Sequence, residues 1–540
     1  AAPLPADVPV QQLRKTPPRS VSGIDYGASY DQVQQINVPM LHDLNIRGRG
    51  VVVGMLDAGF RWRTHEALRN TDVLAEYDFI QNDTVTSNQP GDSADQDDHG
   101  TKTLSVLAGY MPGQLIGPAF GASFLLAKTE YVPAELNIEE DHWVAGLEWL
   151  ERSGAEIVST SLGYSEFDPG QHSYTYQDMN GRTTVTSKVA AVAARKGVLL
   201  CVAMGNEGAS AWHYLTTPAD ADSIVSVGAV SGAGIVTGFS SVGPTSDGRM
   251  KPDVCARGLS DICASPVTNG SSTYVFNSGT SLSTPLVAGV AALVLSARPE
   301  LTPMQLRDAL RNTASNAAAP DNSIGWGVVD AYKALMYHGL LISASIDVAL
   351  GADSTRTISV PVLSLSPLIK DSLMVYFSLN GAASYSAGRM QVKTQTDAAT
   401  NSGVYTFVLP KAATHFYITA ADQRGDTRRL PFGAPHTVYD VNMTLPARRA
   451  AVPASFMLEQ NFPNPFNGRT TITYALTRVT HVSLTVYDIL GRVVAQLVDG
   501  DNGPGYHSVA WDAPANASGV YFYSLRTQDF NETKKMIIVR

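Results

Sequence analysis

The sequence predicts an α/β protein: a doubly wound parallel sheet over residues 24–338, followed by two β-sandwich domains. Three observations carry that prediction. Near-continuous apolar, β-branched runs alternate with helical patterns in the first part, as in a sheet covered by helices on both faces. The texture then changes after Tyr332–His338 to short alternating strands without a convincing helix. Finally, 540 residues exceed what a single core fills, so several domains are expected.

Each element follows from its own stretch. Residues 1–23 are Pro-rich and polar ("LRKTPPRSVSG") and predict an extended arm or the remnant of a pro-segment. "GVVVGMLDAG" is a buried strand, "HGTKTLSVLAGY" a helix and "SFLLAKTE" a second strand. "DHWVAGLEWLERSG" is a helix with a glycine stop leading into the strand "AEIVSTSLG", and "SKVAAVAARKG" is a helix feeding "VLLCVAMGN". Residues 339–450, with "DSLMVYFSLNG" and "SGVYTFVLP", have the alternation of an immunoglobulin-like sandwich. The linker "LPARRAAVPAS" precedes a second domain of that texture over 451–540, in "TTITYAL", "HVSLTVYDILG" and "GVYFYSLRT".

Composition narrows the function. Net charge is −10, from 39 basic and 49 acidic residues, and no dense Lys/Arg run exists, so nucleic acid is not an expected partner. Charged residues make up 16%, which leaves Ser, Thr, Asn, Gln and Gly to cover the surface. No run of 18 consecutive apolar residues occurs, so no transmembrane segment is expected. Three cysteines are too few for a disulfide framework. Cys201 lies in an apolar strand as a core residue; Cys255 and Cys263 are the one pair open to bridging.

Four short motifs fall where predicted strands end or helices begin: Asp57 after "VVVGML", His99 in "DDHGTKT", Asn206 in "AMGNEG" and Ser281 in "SGTSLSTP". In open α/β sheets those ends line the ligand crevice. Singly, each residue has an ordinary reading as a cap or turn residue. Jointly they supply complementary chemistry. A serine hydroxyl needs an imidazole to take its proton, the imidazole needs a carboxylate to fix its tautomer, and a tetrahedral intermediate needs a donor such as an asparagine amide.

The chain order Asp57, His99, Ser281, with "LDAGF", "DDHGTKT", "STSLG", "AMGNEG", "GFSSVGPTSDGRMKPDV" and "SGTSLSTPLVAGVAAL", resembles the subtilisin-like serine protease family, the subtilases. The resemblance implies a secreted serine endopeptidase acting on protein or peptide substrates through an acyl-enzyme. Asp57 would orient, His99 would act as base and then acid, and Ser281 would attack. Asn206 and the Ser281 backbone N–H would form the oxyanion hole. Ser161, Leu162 and Gly163 would be the edge to which an extended substrate adds as a strand. Glu207 would stand at the rim of the primary specificity pocket, favouring basic over acidic side chains there, with a solvated loop residue as the alternative. A catalytically silent surface-binding protein on the same scaffold is the alternative.

The chain departs from the family pattern in places. Ala58 stands where a hydroxyl residue usually follows the aspartate, Lys102 replaces a second histidine, and "AKTEYVPAE" lacks the glycine expected on the opposite groove wall. No cofactor is required by this chemistry. A structural calcium is the one metal the resemblance brings in, with Asp83, Asp92, Asp95, Asp97 and Asp98 of the loop before His99 as candidate ligands and a solvated acidic loop as the alternative. The C-terminal stretch "NFPNPFN…VYDILGRVV…SGVYFYSL" resembles the sorting domain of proteins exported by type IX secretion, which implies the type IX machinery as partner and an extracellular or cell-surface location.

Overall fold

The computed structural model describes residues 8–9 and 23–539, apart from 267–271, 352–353, 382–383, 436, 442–455, 459, 462–463, 465, 467–468, 479, 503–504 and 514–517. The chain divides into two compact units, Ala1–Tyr337 and His338–Arg540.

The first unit is built on seven parallel strands: β1 (Val52–Asp57), β2 (Asp72–Asp78), β3 (Ser123–Lys128), β4 (Ile157–Thr160), β5 (Leu199–Ala203), β6 (Val225–Val230) and β7 (Val254–Arg257). Their order across the sheet is β7-β6-β5-β4-β1-β3-β2, all parallel. Strands β4, β5 and β6 are buried at every position, as a sheet covered on both faces requires. The order reverses at β1: β3 and β2 lie on one side and β4 to β7 on the other, so the crevice opens at the carboxyl end of β1.

Helices α1 (Asp98–Ala108), α2 (Ile138–Arg152), α3 (Val185–Arg195), α4 (Thr280–Ala297) and α5 (Pro303–Asn312) complete this unit, with shorter helical segments. Local chemistry sets their ends. Helix α2 carries Glu139, Glu140 and Asp141 in its first turn and Arg152 in its last, matching the helix dipole. Helix α5 opens with a capping box between Thr302 and Gln305. The predicted helices at 99–110, 141–154 and 187–197 thus form, within a few residues of each expected boundary.

Helix α4 packs against β4, β5, β6 and β7. It is long and apolar enough to cross a membrane by length and composition, because its Ser, Thr and Gly residues interrupt an otherwise aliphatic run without lowering its mean hydropathy much. Here it is the core helix: every residue from Thr280 to Ala297 is buried except Ser281.

Cys201, Cys255 and Cys263 are buried and take part in no disulfide. The Cys255–Cys263 bridge is therefore not formed: Cys255 sits on β7 and Cys263 on the separate antiparallel strand Asp261–Ala264. Burial pushes the Cys201 and Cys255 thiols far above their ordinary range, so neither is a ready nucleophile. Of the N-terminal arm, Val8–Pro9 is described, pairing antiparallel with Tyr274–Asn277.

Among the described residues the paired strands of the second unit are antiparallel, with one isolated parallel bridge between Phe466 and Ile538. Arg356–Leu363 and Ser402–Leu409 centre one five-stranded sheet, and Met374–Ser378 and His415–Ala421 another; Ile358, Val360, Val375, Phe416 and Ile418 share the core these sheets supply. Farther along, Arg469–Leu476 pairs with Gly505–Asp512, and Thr480–Tyr487 with Gly519–Arg526. Ile472, Tyr474, Trp511, Leu484 and Tyr523 form a separate core there.

Candidate active site

Asp57 is the last residue of β1 and is fully buried. A lone buried carboxylate is costly unless donors surround it. Here Ala58 N donates to Oδ1 at 2.8 Å, Thr103 Oγ1 donates to Oδ2 at 2.9 Å, and His99 Nδ1 lies 2.7 Å from Oδ1. The hydroxyl that Ala58 cannot offer thus comes from Thr103, one turn along α1 from His99. The sequence reading did not single Thr103 out; four-residue spacing on a helix face was the available signal. Gly100 lets the helix approach so closely, since a Cβ there would lie 3.0 Å from Asp57 Cβ and collide with the Gly59 carbonyl.

The His99 side chain keeps 41% of its surface exposed while its Nδ1 edge faces Asp57. Burial lowers the imidazole's proton affinity, but the charge and hydrogen bond of Asp57, with a contribution from Asp98, outweigh it. Lys102 opposes them, and the net result lies above the ordinary histidine value of 6.5. Lys102 itself pairs with Asp98 at 2.8 Å.

Ser281 is the second residue of α4. The helix N-cap is Gly279 and makes no side-chain capping bond, so the hydroxyl crowd of 278–285 does not serve as a cap. Pro285 has no N–H to give the Ser281 carbonyl, its i−4 partner. Ser161 Oγ donates to that carbonyl at 2.9 Å instead, and Ser281 Oγ donates to Ser161 O at 3.5 Å. The nucleophile candidate is thereby tied to the residue that follows β4.

Asn206 follows β5. Its Oδ1 accepts from Thr280 N at 2.9 Å and from Thr280 Oγ1 at 3.1 Å, which fixes the amide so that Nδ2 remains the outward donor. A Cβ built on Gly279 would lie 3.6 Å from Asn206 Nδ2 and 3.7 Å from both Asn206 Oδ1 and Ser281 N, so the two nitrogens border one small space beside Gly279. Gly279 has φ +153° and ψ 156°, a region essentially reserved for glycine. The absent side chain leaves that space open.

The other expected residues lie nearby. Gly163 is exposed and Leu162 packs its side chain against the apolar cluster under α2 and α3, so this edge offers backbone. Glu207 is half-buried; its N–H donates to Ser241 Oγ at 2.9 Å. Beyond β3, Thr129 N donates to Asp57 O at 3.0 Å, and Gln96 Nε2 bridges the carbonyls of Ala58 and Glu130. Tyr164 Oη donates to the Glu130 carboxylate, linking the segment after β4 to the segment after β3. Gln96, Glu130 and Tyr164 were not foreseen from sequence, because only the fold brings their three segments together.

The acidic loop does not fit a calcium site. Asp92 Oδ2 and Asp78 Oδ2 each lie 2.8 Å from the Nζ of Lys128, which is wholly buried. Asp97 pairs with Arg61 at 2.8 Å, Asp98 with Lys102, and Asp83 accepts from Gln89 and Val85 N. Among the described residues no group of three or more His, Cys, Asp or Glu is arranged to hold a metal. The charge a cation would supply is already present as ammonium and guanidinium groups.

Residues 48–327 match the subtilase family, and residues 460–539 match the secretion system C-terminal sorting domain. Subtilisin NAT of Bacillus subtilis subsp. natto is 30% identical over 57% of this chain and 73% of its own length. Serine protease AprX of Bacillus subtilis is 28% identical over 53% of this chain and 66% of its own. A solved protease of Pseudoalteromonas arctica PAMC 21717 is 26% identical, with a TM-score of 0.46, covering 58% of this chain and 99% of that one. The chain belongs to the subtilase family and is a serine endopeptidase by class. Its sorting domain addresses it to the cell surface or the medium.

Proposed function

We propose that this chain is a secreted endopeptidase that cleaves proteins through an acyl-enzyme on Ser281. The observation that carries the reading is the 2.7 Å contact between His99 Nδ1 and the buried Asp57 carboxylate. With the proton held on Nδ1 by Asp57, Nε2 presents a lone pair. It takes the Ser281 hydroxyl proton as Oγ bonds to the substrate carbonyl carbon, then gives that proton to the departing amine. Water repeats the sequence on the ester, restoring Ser281 and releasing the acid. Asn206 Nδ2 and Ser281 N bind the oxyanion as it develops, which lowers the barrier more than it strengthens substrate binding.

An extended substrate would lie along Ser161–Gly163 through backbone bonds, with Glu207 at the rim of the pocket for the residue before the scissile bond. In this reading residues 24–338 form the catalytic domain, 339–450 an immunoglobulin-like domain and 451–540 the domain handed to type IX machinery. The test is labelling with a serine-directed fluorophosphonate, followed by mass spectrometry of the modified peptide. The label is expected on Ser281, absent in Ser281→Ala and retained in Ser283→Ala, whose hydroxyl is buried without a partner. A chain that takes no label would favour the catalytically silent alternative.

A further inference from the structure

Resting on the proposed reaction, the structure assigns a size limit to the residue on the acyl side of the scissile bond: we infer that Thr216 floors its pocket and restricts it to glycine, alanine and serine. In the proposed reaction the acyl residue has its carbonyl carbon at Ser281 and its oxygen at Asn206, so the segments that carry those two contacts are the walls its side chain would meet first. One is Ser161–Gly163 after β4, tied to Ser281 through Ser161. The other is Gly205–Glu207 after β5, which carries the oxyanion donor.

Thr216 occupies the gap between these walls. A Cβ on Gly163 would collide with Thr216 Oγ1, and one on Gly205 would lie 2.9 Å from Ser241 Oγ, 3.1 Å from Thr216 Oγ1 and 3.4 Å from Thr216 Cγ2. Both walls therefore close onto the threonine at positions without side chains, and Gly205, at φ +100°, holds a backbone shape that disfavours any other residue. Thr216 is 5% exposed, and its N–H donates to Met204 O at 3.2 Å, which fixes it to the end of β5.

Its hydroxyl contributes nothing visible to this arrangement. Oγ1 is buried without a hydrogen-bond partner, an arrangement that costs stability rather than adding to it. Volume is thus the property left for the site to use. Three heavy atoms set between facing glycines fill the depth that a long side chain would need. Glu207 at the rim adds a sign preference against acidic side chains but cannot deepen the floor.

The experiment measures kcat/KM on peptides differing only in the acyl-side residue (Ala, Ser, Phe or Lys), with fluorophosphonate labelling in parallel. Wild type is expected to cut the Ala and Ser peptides at least about tenfold faster than the Phe and Lys peptides, the scale on which pockets discriminate by methylenes. Thr216→Gly should raise Phe relative to Ala by about tenfold or more. Thr216→Val keeps the volume and removes the hydroxyl, so its profile should match wild type; as the better-packed variant it also guards against a glycine variant that fails to fold. Wild type preferring Phe, an unchanged profile in Thr216→Gly, or a changed one in Thr216→Val would each overturn the inference. If Ser281 labels while the profile fails, only the size limit falls. A chain that neither labels nor cleaves overturns the proposed reaction and this inference with it.

Discussion

Thr103→Val is the sharpest probe of how Asp57 is held. The side chains are nearly isosteric, so the change removes one donor and leaves packing in place. What is lost is the 2.9 Å bond from Thr103 Oγ1 to Asp57 Oδ2, made to a fully buried carboxylate. Hydrogen bonds to charged groups contribute about 1.5–3 kcal/mol. For a unit of this size each kcal/mol moves the melting temperature by about 2 °C, so a fall of about 3–6 °C is expected. The carboxylate, less satisfied, also holds the His99 proton more tightly. The acid limb of the kcat/KM profile should therefore move to higher pH than in wild type. Thr103→Ser, which keeps the hydroxyl, should restore most of both. Scanning calorimetry and a pH series on one peptide substrate read the two effects. An unchanged melting temperature together with an unmoved acid limb would refute the support assigned to Thr103.

Other outcomes follow from the same geometry. His99 is raised above 6.5, so in wild type the acid limb of kcat/KM should lie above pH 6.5, where the base becomes neutral. The sign for stability is opposite: the protonated imidazole stabilises the fold below the unfolded value of about 6.5, and that contribution disappears as pH rises through the folded value. A limb below 6.5 in the pH series would contradict the pairing with Asp57. Asn206→Leu should lower kcat by about 10²–10³-fold with little change in KM, a range carried over from the corresponding subtilisin donor rather than worked out from these distances. A change confined to KM would remove Asn206 from the oxyanion site. Lys128→Met leaves Asp78 and Asp92 buried without their shared cation and should cost about 3–5 kcal/mol in thermal unfolding. Recovery of wild-type melting on adding calcium would mean that the loop accepts a metal after all. A chain ending near Ala450 should keep full peptidase activity yet fail to leave a type IX-competent cell, because every proposed catalytic group precedes residue 285; an inactive truncation would place part of the site beyond residue 450.

The sequence by itself determined the element types and singled out the groups that the proposed reaction uses. Strands such as Leu199–Ala203 are apolar at every position because both faces are covered, and that pattern is local and therefore legible. Asp57, His99, Asn206 and Ser281 stood out because their motifs sit at strand and helix ends, where a parallel sheet exposes polar groups. Their supports were not legible. Thr103 serves Asp57 across 46 positions, Ser161 meets Ser281 across 120, and Glu130 meets Tyr164 across 34. No periodicity encodes such pairs; they arise when the sheet order reverses at β1 and brings separate loops to one crevice. The acidic loop shows the same limit. Its carboxylates and the family resemblance offered a cation site beside the alternative of a solvated loop, but the cation is Lys128, which enters from the neighbouring strand β3 and is seen only once that strand lies beside the loop. Tertiary structure likewise decided that Thr216 faces two glycines: its chain neighbours say nothing of Gly163, more than fifty positions away, whose missing side chain makes the contact.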